Sequence, residues 1–364
     1  MLQRLYVNNY RCLENFELSL KYISSALLIG KNGVGKSTIA SALEVVQSIG
    51  RGINRVGQLV EEKDFSPGKF NIPIRFEIEV LLEENLYQYR LALELPESFD
   101  EFRVFEEQLL FAGEPIYSRK EAQVTLKHQA QFLVDWHLVA LPIIQVQSER
   151  EPLHIFKTWL ARMIILAPVP NLMTGESHGE TLQPKGDISN FGEWFSGLLG
   201  RYPAAYKIID KHLSEVMPDI SDIQNELIGK DFKNMVVSFE KNNKSFKVDF
   251  KDLSDGEKCF FLCAVVLAAN KYYGPIFCFW DEPDSHLSLS EVGHFISSLR
   301  RSFNNSGQIL ATSHNQEAIR KFSHENTFFL DRKSHLEPTL IRLIDEIDIT
   351  GNLIDKLILG DIEL

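Results

Sequence analysis

Gly30-Lys-Asn-Gly-Val-Gly-Lys-Ser-Thr38 is the stretch on which the reading of this chain turns. It fits the spacing G-x-x-x-x-G-K-[ST]. The apolar run Ala26-Leu-Leu-Ile before it is short enough to be a buried strand. After it, Ile39, Leu43 and Val46 fall on one face of a helix expected to start near Lys36. Strand, glycine loop and helix in that order are the context this spacing requires, and a glycine turn without a ligand would not need it. Glycines let successive backbone N–H groups close around phosphate oxygens, and a helix N-terminus adds a favourable field. On this reading Gly30, Asn32, Gly33, Gly35 and Thr38 wrap the phosphates of ATP. Lys36 reaches the β- and γ-phosphates, and the Ser37 hydroxyl holds Mg²⁺.

Working outward, Ile276-Phe-Cys-Phe-Trp280 is an apolar run that delivers Asp281 and Glu282 at its C-terminal end, where open α/β sheets place their ligands. Two acids after a strand are usually a solvated strand end. Beside a phosphate loop they acquire roles: Asp281 binding Mg²⁺ directly or through water, Glu282 positioning or deprotonating the attacking water. Ile276–Trp280, Gln308–Thr312 and Thr327–Leu330 are three short apolar runs separated by helical sequence, the rhythm of a parallel α/β sheet.

Leu253-Ser-Asp-Gly-Glu-Lys258 carries a family resemblance. It is similar to the signature loop of ABC-type ATPases, usually L-S-G-G-Q, and it opens an apolar helix as that loop does. Ser254 and Gly256 match; Asp255 and Glu257 depart, as in the branch that holds the SMC, RecF and OLD-like proteins. Ser254 or Asp255 is also a good helix N-cap, which needs no ligand. Thr312-Ser-His314 resembles the family's switch histidine, Asp284 the loop joining two active sites, and Asn32 the G-x-N-G-x-G-K form of this branch. Leu5-Tyr-Val-Asn-Asn-Tyr-Arg11 resembles the first strand of RecF-like, AAA-annotated ATPases, which implies Arg11 near the nucleotide base; a plain surface arginine at a strand end is the alternative. The family's Mg²⁺-coupled glutamine is either Gln58 or Gln145. The resemblance implies ATP and Mg²⁺ as ligands and a homodimer, or a higher oligomer, in which Ser254 and Gly256 close over the γ-phosphate held by the other copy. The motifs cover roughly the first 60 and last 115 residues; the middle matches only by layout.

The fold expected is therefore α/β, a P-loop NTPase of ABC-head type with a parallel core sheet, an antiparallel β layer and a helical lobe. Its ATPase core takes in 1–70 and 250–364. Alternation such as Arg75-Phe-Glu-Ile-Glu-Val80 marks 71–150 as the antiparallel layer. Residues 151–249 form the helical lobe leading to the signature loop, with helices over Phe191–Leu199 and Ala204–Val216 and a hairpin turning at Asn242-Asn243. Pro168, Pro170, Pro184, Pro203 and Pro218 exclude long heptad arms from that lobe.

Composition narrows the function further. Of 364 residues, 44% are hydrophobic and 24% charged, which fits an ordinary globular chain, and the net charge of −12 makes a poor general binder of nucleic-acid backbones. Lys230, Lys233, Lys241, Lys244, Lys247 and Lys251 form the one lysine-rich stretch, either a solvated hairpin or a local nucleic-acid contact. The longest apolar run, 260–269, is too short to cross a bilayer, so no membrane association and a cytoplasmic location are expected. Cys12, Cys259, Cys263 and Cys278 lack ligand spacing and read as buried thiols. No second catalytic constellation stands out, and the segment after His314 is too short for the nuclease domain of OLD-type ATPases. Two classes follow: the sensor or motor subunit of a bacterial defence (anti-phage or toxin) system with a separate effector protein, or a DNA-repair or DNA-end-processing ATPase that binds DNA directly. The apolar stripe of Leu353, Ile354, Leu357 and Ile358 is a docking surface for the effector, or packs on its own core.

Overall fold

Alternating and continuous apolar runs call for different sheets, and the chain contains both. The computed structural model describes residues 1–97, 100–127, 130–228, 232–347 and 353–359. They fall into two compact units, Met1–Met163 with Ser323–Leu364, and Ile164–Phe322.

In the first unit an antiparallel sheet of eight strands runs in the order Phe16–Ser19, Leu2–Asn8, Ile74–Leu82, Asn85–Glu94, Arg103–Phe111, Glu114–Lys120, Gln123–Leu126, Gln131–Leu133. Ile74, Phe76, Ile78 and Val80 are fully buried and pair with Leu93, Leu91, Tyr89 and Tyr87, so one face of the layer is apolar and the alternate residues are polar. The strands turn through left-handed residues such as Glu83 and Glu84 at φ 48° and 65°, a pair that closes a two-residue hairpin. Ser25–Ile29, buried at all five positions, pairs in parallel with Thr327–Asp331, which pairs antiparallel with Leu340–Leu343. The helix Lys36–Gly50 leaves the first of these strands and packs on the helix Pro152–Arg162. A Cβ on Gly50 would lie 2.5 Å from that of Leu160, which is why the crossing can be so close.

A buried carboxylate ties the layer to the segment that follows it. Glu107, wholly buried, accepts from the hydroxyls of Tyr89 (3.1 Å) and Tyr117 (2.7 Å) and from the N–H groups of Ala140 (2.7 Å) and Leu141 (2.9 Å). Burial pushes its acid up from the usual carboxylate range, while the donors pull the other way. Arg119 donates to the carbonyls of Glu121, Leu138 and Asp135. Acceptor and donor together satisfy backbone groups that a loop over a sheet would otherwise strand.

The second unit has a parallel sheet, Ile164–Leu166, Phe277–Trp280 and Gln308–Thr312, with Cys278 opposite Ile164 and Trp280 opposite Ala311. The helix Asp255–Tyr273 is buried on every side through 258–270, as a core helix must be, whereas Leu289–Asn305 buries one face, with Val292, Phe295, Ile296, Ser298, Leu299 and Phe303. A second sheet, Ile220–Ile228, Phe232–Lys241 and Lys244–Asp249, is antiparallel, and its hairpin turns at Asn242 and Asn243 with φ 52° and 61°. The two helices expected in this lobe run over Phe191–Arg201 and Ala205–Val216. Lys230 lies outside the described residues. The tail stripe falls on the helix Leu353–Leu359, in which Ile354 is buried; the side chains of Leu353 and Ile358 lie outside the described residues.

Candidate functional site

The glycine loop belongs to the first unit. Gly30, Gly33 and Gly35 have φ of +152°, +81° and +103°, values that side chains disfavour. A Cβ on Gly30 would meet the Leu330 carbonyl oxygen at 2.4 Å. One on Gly35 would meet Thr339 Oγ1 at 2.7 Å and Cys12 Sγ at 2.8 Å, whereas one on Gly33 would meet nothing within 4 Å. The loop is thus packed from behind and open in front, with Lys31, Asn32, Gly33 and Ser37 exposed. Lys36 is buried, and its Nζ donates to the carbonyls of Gly30 (2.8 Å) and Lys31 (3.1 Å), which fixes the ammonium inside the curve of the loop. The helix has no side-chain cap at Gly35 and no acid in its first turn, so its positive end faces no carboxylate of that turn. Thr38 closes the turn through its N–H to Gly35 O at 3.1 Å. Open glycine backbone, a sequestered ammonium and an acid-free helix end suit a polyphosphate.

Arg11 is tied to the first turns of the helix Lys36–Gly50. Its guanidinium donates to Asp64 Oδ1 (2.8 Å) and Ser41 Oγ (3.1 Å), and Ser41 in turn donates to the Ser37 carbonyl (3.2 Å). A cavity of about 250 Å³ is lined here by Tyr10, Arg11, Ser41, Glu44, Gln58 and Asp64. Gln58 is therefore beside Arg11, while Gln145 is exposed on the segment after the helix Ala140–Ile143.

The acidic half belongs to the second unit. The register that sets Trp280 opposite Ala311 carries Asp281 alongside Thr312. Thr312 Oγ1 donates to Asp281 Oδ1 at 2.5 Å and accepts from the Glu282 N–H at 2.9 Å, so one hydroxyl holds the Asp281 carboxylate and the Glu282 backbone. Glu282 has φ 46°, a left-handed value uncommon outside glycine and frequent at sites held rigid for function. Its Oε1 is 3.5 Å from His314 Nε2. Ser313 donates to Asp284 Oδ2 at 2.9 Å, and burial raises the Asp284 carboxyl, whose Oδ1 has no hydrogen-bond partner. The motif Thr312-Ser-His314 gives a role to His314 alone and none to Thr312 and Ser313. Their signal was the parallel neighbour of the acidic strand, whose end must carry whatever orients the acids.

Ser254 is exposed and caps the helix Asp255–Tyr273 in a reciprocal box, its Oγ accepting from Glu257 N while Glu257 accepts from Ser254 N. Glu257, where ABC loops usually carry Gln, thus has a local task. A Cβ on Gly256 would sit 3.1 Å from the His286 carbonyl oxygen, so glycine lets the helix start close beneath the loop after Asp284. Burial and Asp255 push the Cys259 thiol up to about 12, and all four cysteines are free and buried. Among the described residues no cluster of three or more His, Cys, Asp or Glu side chains could hold a metal, and no helix is long and apolar enough to cross a membrane.

The fold and these motifs define a P-loop ATPase of ABC type with the head architecture of SMC proteins. The chain belongs to the family described as "AAA domain, putative AbiEii toxin, Type IV TA system", whose model matches residues 25–320. A crystal structure of an Smc head bound to the C-winged helix domain of ScpA matches with a TM-score of 0.57 at 14% identity, over 95% of this chain and 99% of that one. The Smc head of Pyrococcus furiosus, with an extended coiled coil and bound to the C-terminal domain of ScpA, matches with a TM-score of 0.51 at 12% identity, over 99% and 98%. The OLD nuclease of Thermus scotoductus is 46% identical over 46 residues, 13% of this chain and 8% of that protein's length.

Proposed function

We propose that this chain binds and hydrolyses ATP as a homodimer that closes around the nucleotide, and that it serves as the sensor or motor subunit of a bacterial defence system with a separate effector protein. The observation that carries the catalytic part is the Asp281–Thr312–Glu282–His314 cluster, in which one hydroxyl holds the Asp281 carboxylate and the Glu282 backbone and a histidine stands 3.5 Å from the Glu282 carboxylate. Lys36 and the glycines of the P-loop hold the phosphates. Ser37 would hold Mg²⁺ from the P-loop and Asp281 would bind it directly or through water, both being hard oxygen donors of the kind that ion takes. Mg²⁺ there would neutralise charge on the transferring phosphoryl group. Glu282 orients the attacking water or takes its proton, His314 senses the terminal phosphate, and Ser254 and Gly256 donate to that phosphate from the second copy.

The defence role draws support from the family's description and from the partial likeness to an OLD nuclease. Against direct DNA binding stand the net charge of −12 and the pairing of three lysines of the lysine-rich stretch, Lys233 with Glu180, Lys247 with Glu226 and Lys251 with Asp249. The test is phosphate release by the purified chain, coupled to sedimentation with and without ATP. Turnover with ATP-dependent dimers is expected. A monomer at every nucleotide concentration overturns the dimer, and tight, salt-dependent DNA binding overturns the defence reading in favour of repair.

A further inference from the structure

The end of the strand Thr327–Asp331 and the connection from it to the strand Leu340–Leu343 touch the P-loop at Gly30, Gly33, Val34 and Gly35. The Leu330 carbonyl sits where a side chain on Gly30 would have to go. Arg332 Nη1 lies 3.5 Å from the Gly33 carbonyl oxygen, and the same guanidinium donates to the carbonyls of Glu337 (2.8 Å) and His335 (2.6 Å) of its own connection. Thr339 is buried, with its N–H donating to Cys12 O at 2.9 Å and its Oγ1 donating to the Val34 carbonyl at 2.7 Å. That last bond spans 305 residues of sequence.

These contacts have a directional consequence. A peptide unit is planar and trans, so fixing the carbonyl of one residue turns the N–H of the next to the opposite side. Thr339 holding Val34 O aims the Gly35 N–H away from Thr339, and Arg332 at Gly33 O does the same for the Val34 N–H. The Gly33 and Val34 carbonyls are thus turned to the connection and the Val34 and Gly35 N–H groups away from it, while the Gly30 and Lys31 carbonyls, which face into the loop, are covered by the Lys36 ammonium. A phosphate cradle needs that polarity, because carbonyl dipoles pointing inward would repel the anion.

We propose that Thr339, assisted by Arg332, is a positioning residue for nucleotide binding, acting through the Val34–Gly35 peptide and not by touching ATP. The inference rests on ATP binding by the P-loop. Thr339→Val keeps the shape of the side chain and removes the donor, leaving Val34 O buried without a partner. ATP affinity is expected to fall about tenfold, the scale of one buried hydrogen bond, with turnover at saturating ATP within about twofold of normal. Thr339→Ser, which restores the hydroxyl, returns affinity to within about twofold, and Arg332→Gln, at the exposed end of the connection, weakens binding by about threefold without altering thermal unfolding. The measurements are titration with a fluorescent ATP analogue, KM against kcat, and melting of the nucleotide-free protein. Equal affinity of Thr339→Val and the natural protein overturns the inference. If Thr339→Val does not fold, Arg332→Gln and Thr339→Ser decide: unchanged KM in Arg332→Gln overturns it. Absence of ATP binding by the natural protein is a different result, which overturns the proposed function itself.

Discussion

The P-loop and the acidic cluster are built by opposite means. Nine consecutive residues, 30–38, supply the glycines, ammonium and helix end of the first, so its chemistry is written in one place and only its support is remote. The second collects Asp281, Glu282 and Asp284 from one strand end and Thr312, Ser313 and His314 from the next, and exists only once parallel pairing has set Trp280 opposite Ala311. On the proposed function the first is a binding device, set by its cation, its backbone freedom and the remote support of Thr339. The second is an orienting device, in which one hydroxyl holds the Asp281 carboxylate and the left-handed Glu282 backbone while a histidine stands against the Glu282 carboxylate.

If that division is right, breaking the two regions must give different phenotypes. The largest effect is expected of Lys36→Ala: the ammonium that lies against the Gly30 and Lys31 carbonyls is lost, and calorimetric titration should show no ATP binding. Next, Glu282→Gln should bind ATP normally and lose turnover by about 10²-fold or more, the scale of a general base or a water-positioning carboxylate. Lost binding in Glu282→Gln, or residual tight binding in Lys36→Ala, would erase the contrast between the two regions.

A smaller effect sharpens it. Thr312→Val removes the hydroxyl that both donates to Asp281 and accepts from Glu282 N–H, leaving each acid in place but less constrained. Turnover should fall about tenfold with ATP affinity retained, and Thr312→Ser should recover most of it. Steady-state phosphate release over a range of ATP concentrations separates the two terms. A change confined to KM would mean that the hydroxyl serves binding and that the acidic cluster is not purely an orienting device.

How much of this was legible before the fold was known follows the same contrast. The P-loop, its flanking strand and the helix at Lys36 are local signals, and the alternation through Arg75-Phe-Glu-Ile-Glu-Val80 is equally local, so both could be read from the chain. Thr312 and Ser313 could be read only through register. Thr339 and Arg332 could not be read at all, since they meet Val34 and Gly33 across some 300 residues of sequence. Glu107 and Arg119 looked like ordinary polar positions of an alternating strand; their burial comes from the segment 135–141 laid over them, which propensity does not report. The strand Ile220–Ile228 escaped because Ser-Asp-Ile-Gln-Asn-Glu carries neither clean alternation nor β-branched density, and its neighbour Phe232–Lys241 supplies the pairing.

The last and smallest expected departure from normal turnover tests whether the two regions need a second molecule. Ser254 is exposed, and among the described residues its side chain bonds only to Glu257, as a helix cap. Losing that cap costs about 1 kcal/mol, little against a helix whose apolar faces are buried through most of its length. A loop retained only for that purpose would tolerate arginine. If it also closes over the phosphate held by another copy, Ser254→Arg is inactive as a pure preparation, because both sites of its dimer carry the intruding side chain. Lys36→Ala is inactive for the complementary reason. In a mixed dimer of the two, one site has both defects and the other joins an intact P-loop to an intact signature, since a two-fold contact pairs each surface with its counterpart. Mixed dimers should therefore regain up to about half of normal turnover if the sites fire independently, and less if they fire together. Phosphate release measured across mixing ratios, with melting curves to show that both variants are folded, reads the result directly. Full activity of Ser254→Arg alone, as a monomer, would leave the loop a helix cap and remove the second copy from the mechanism.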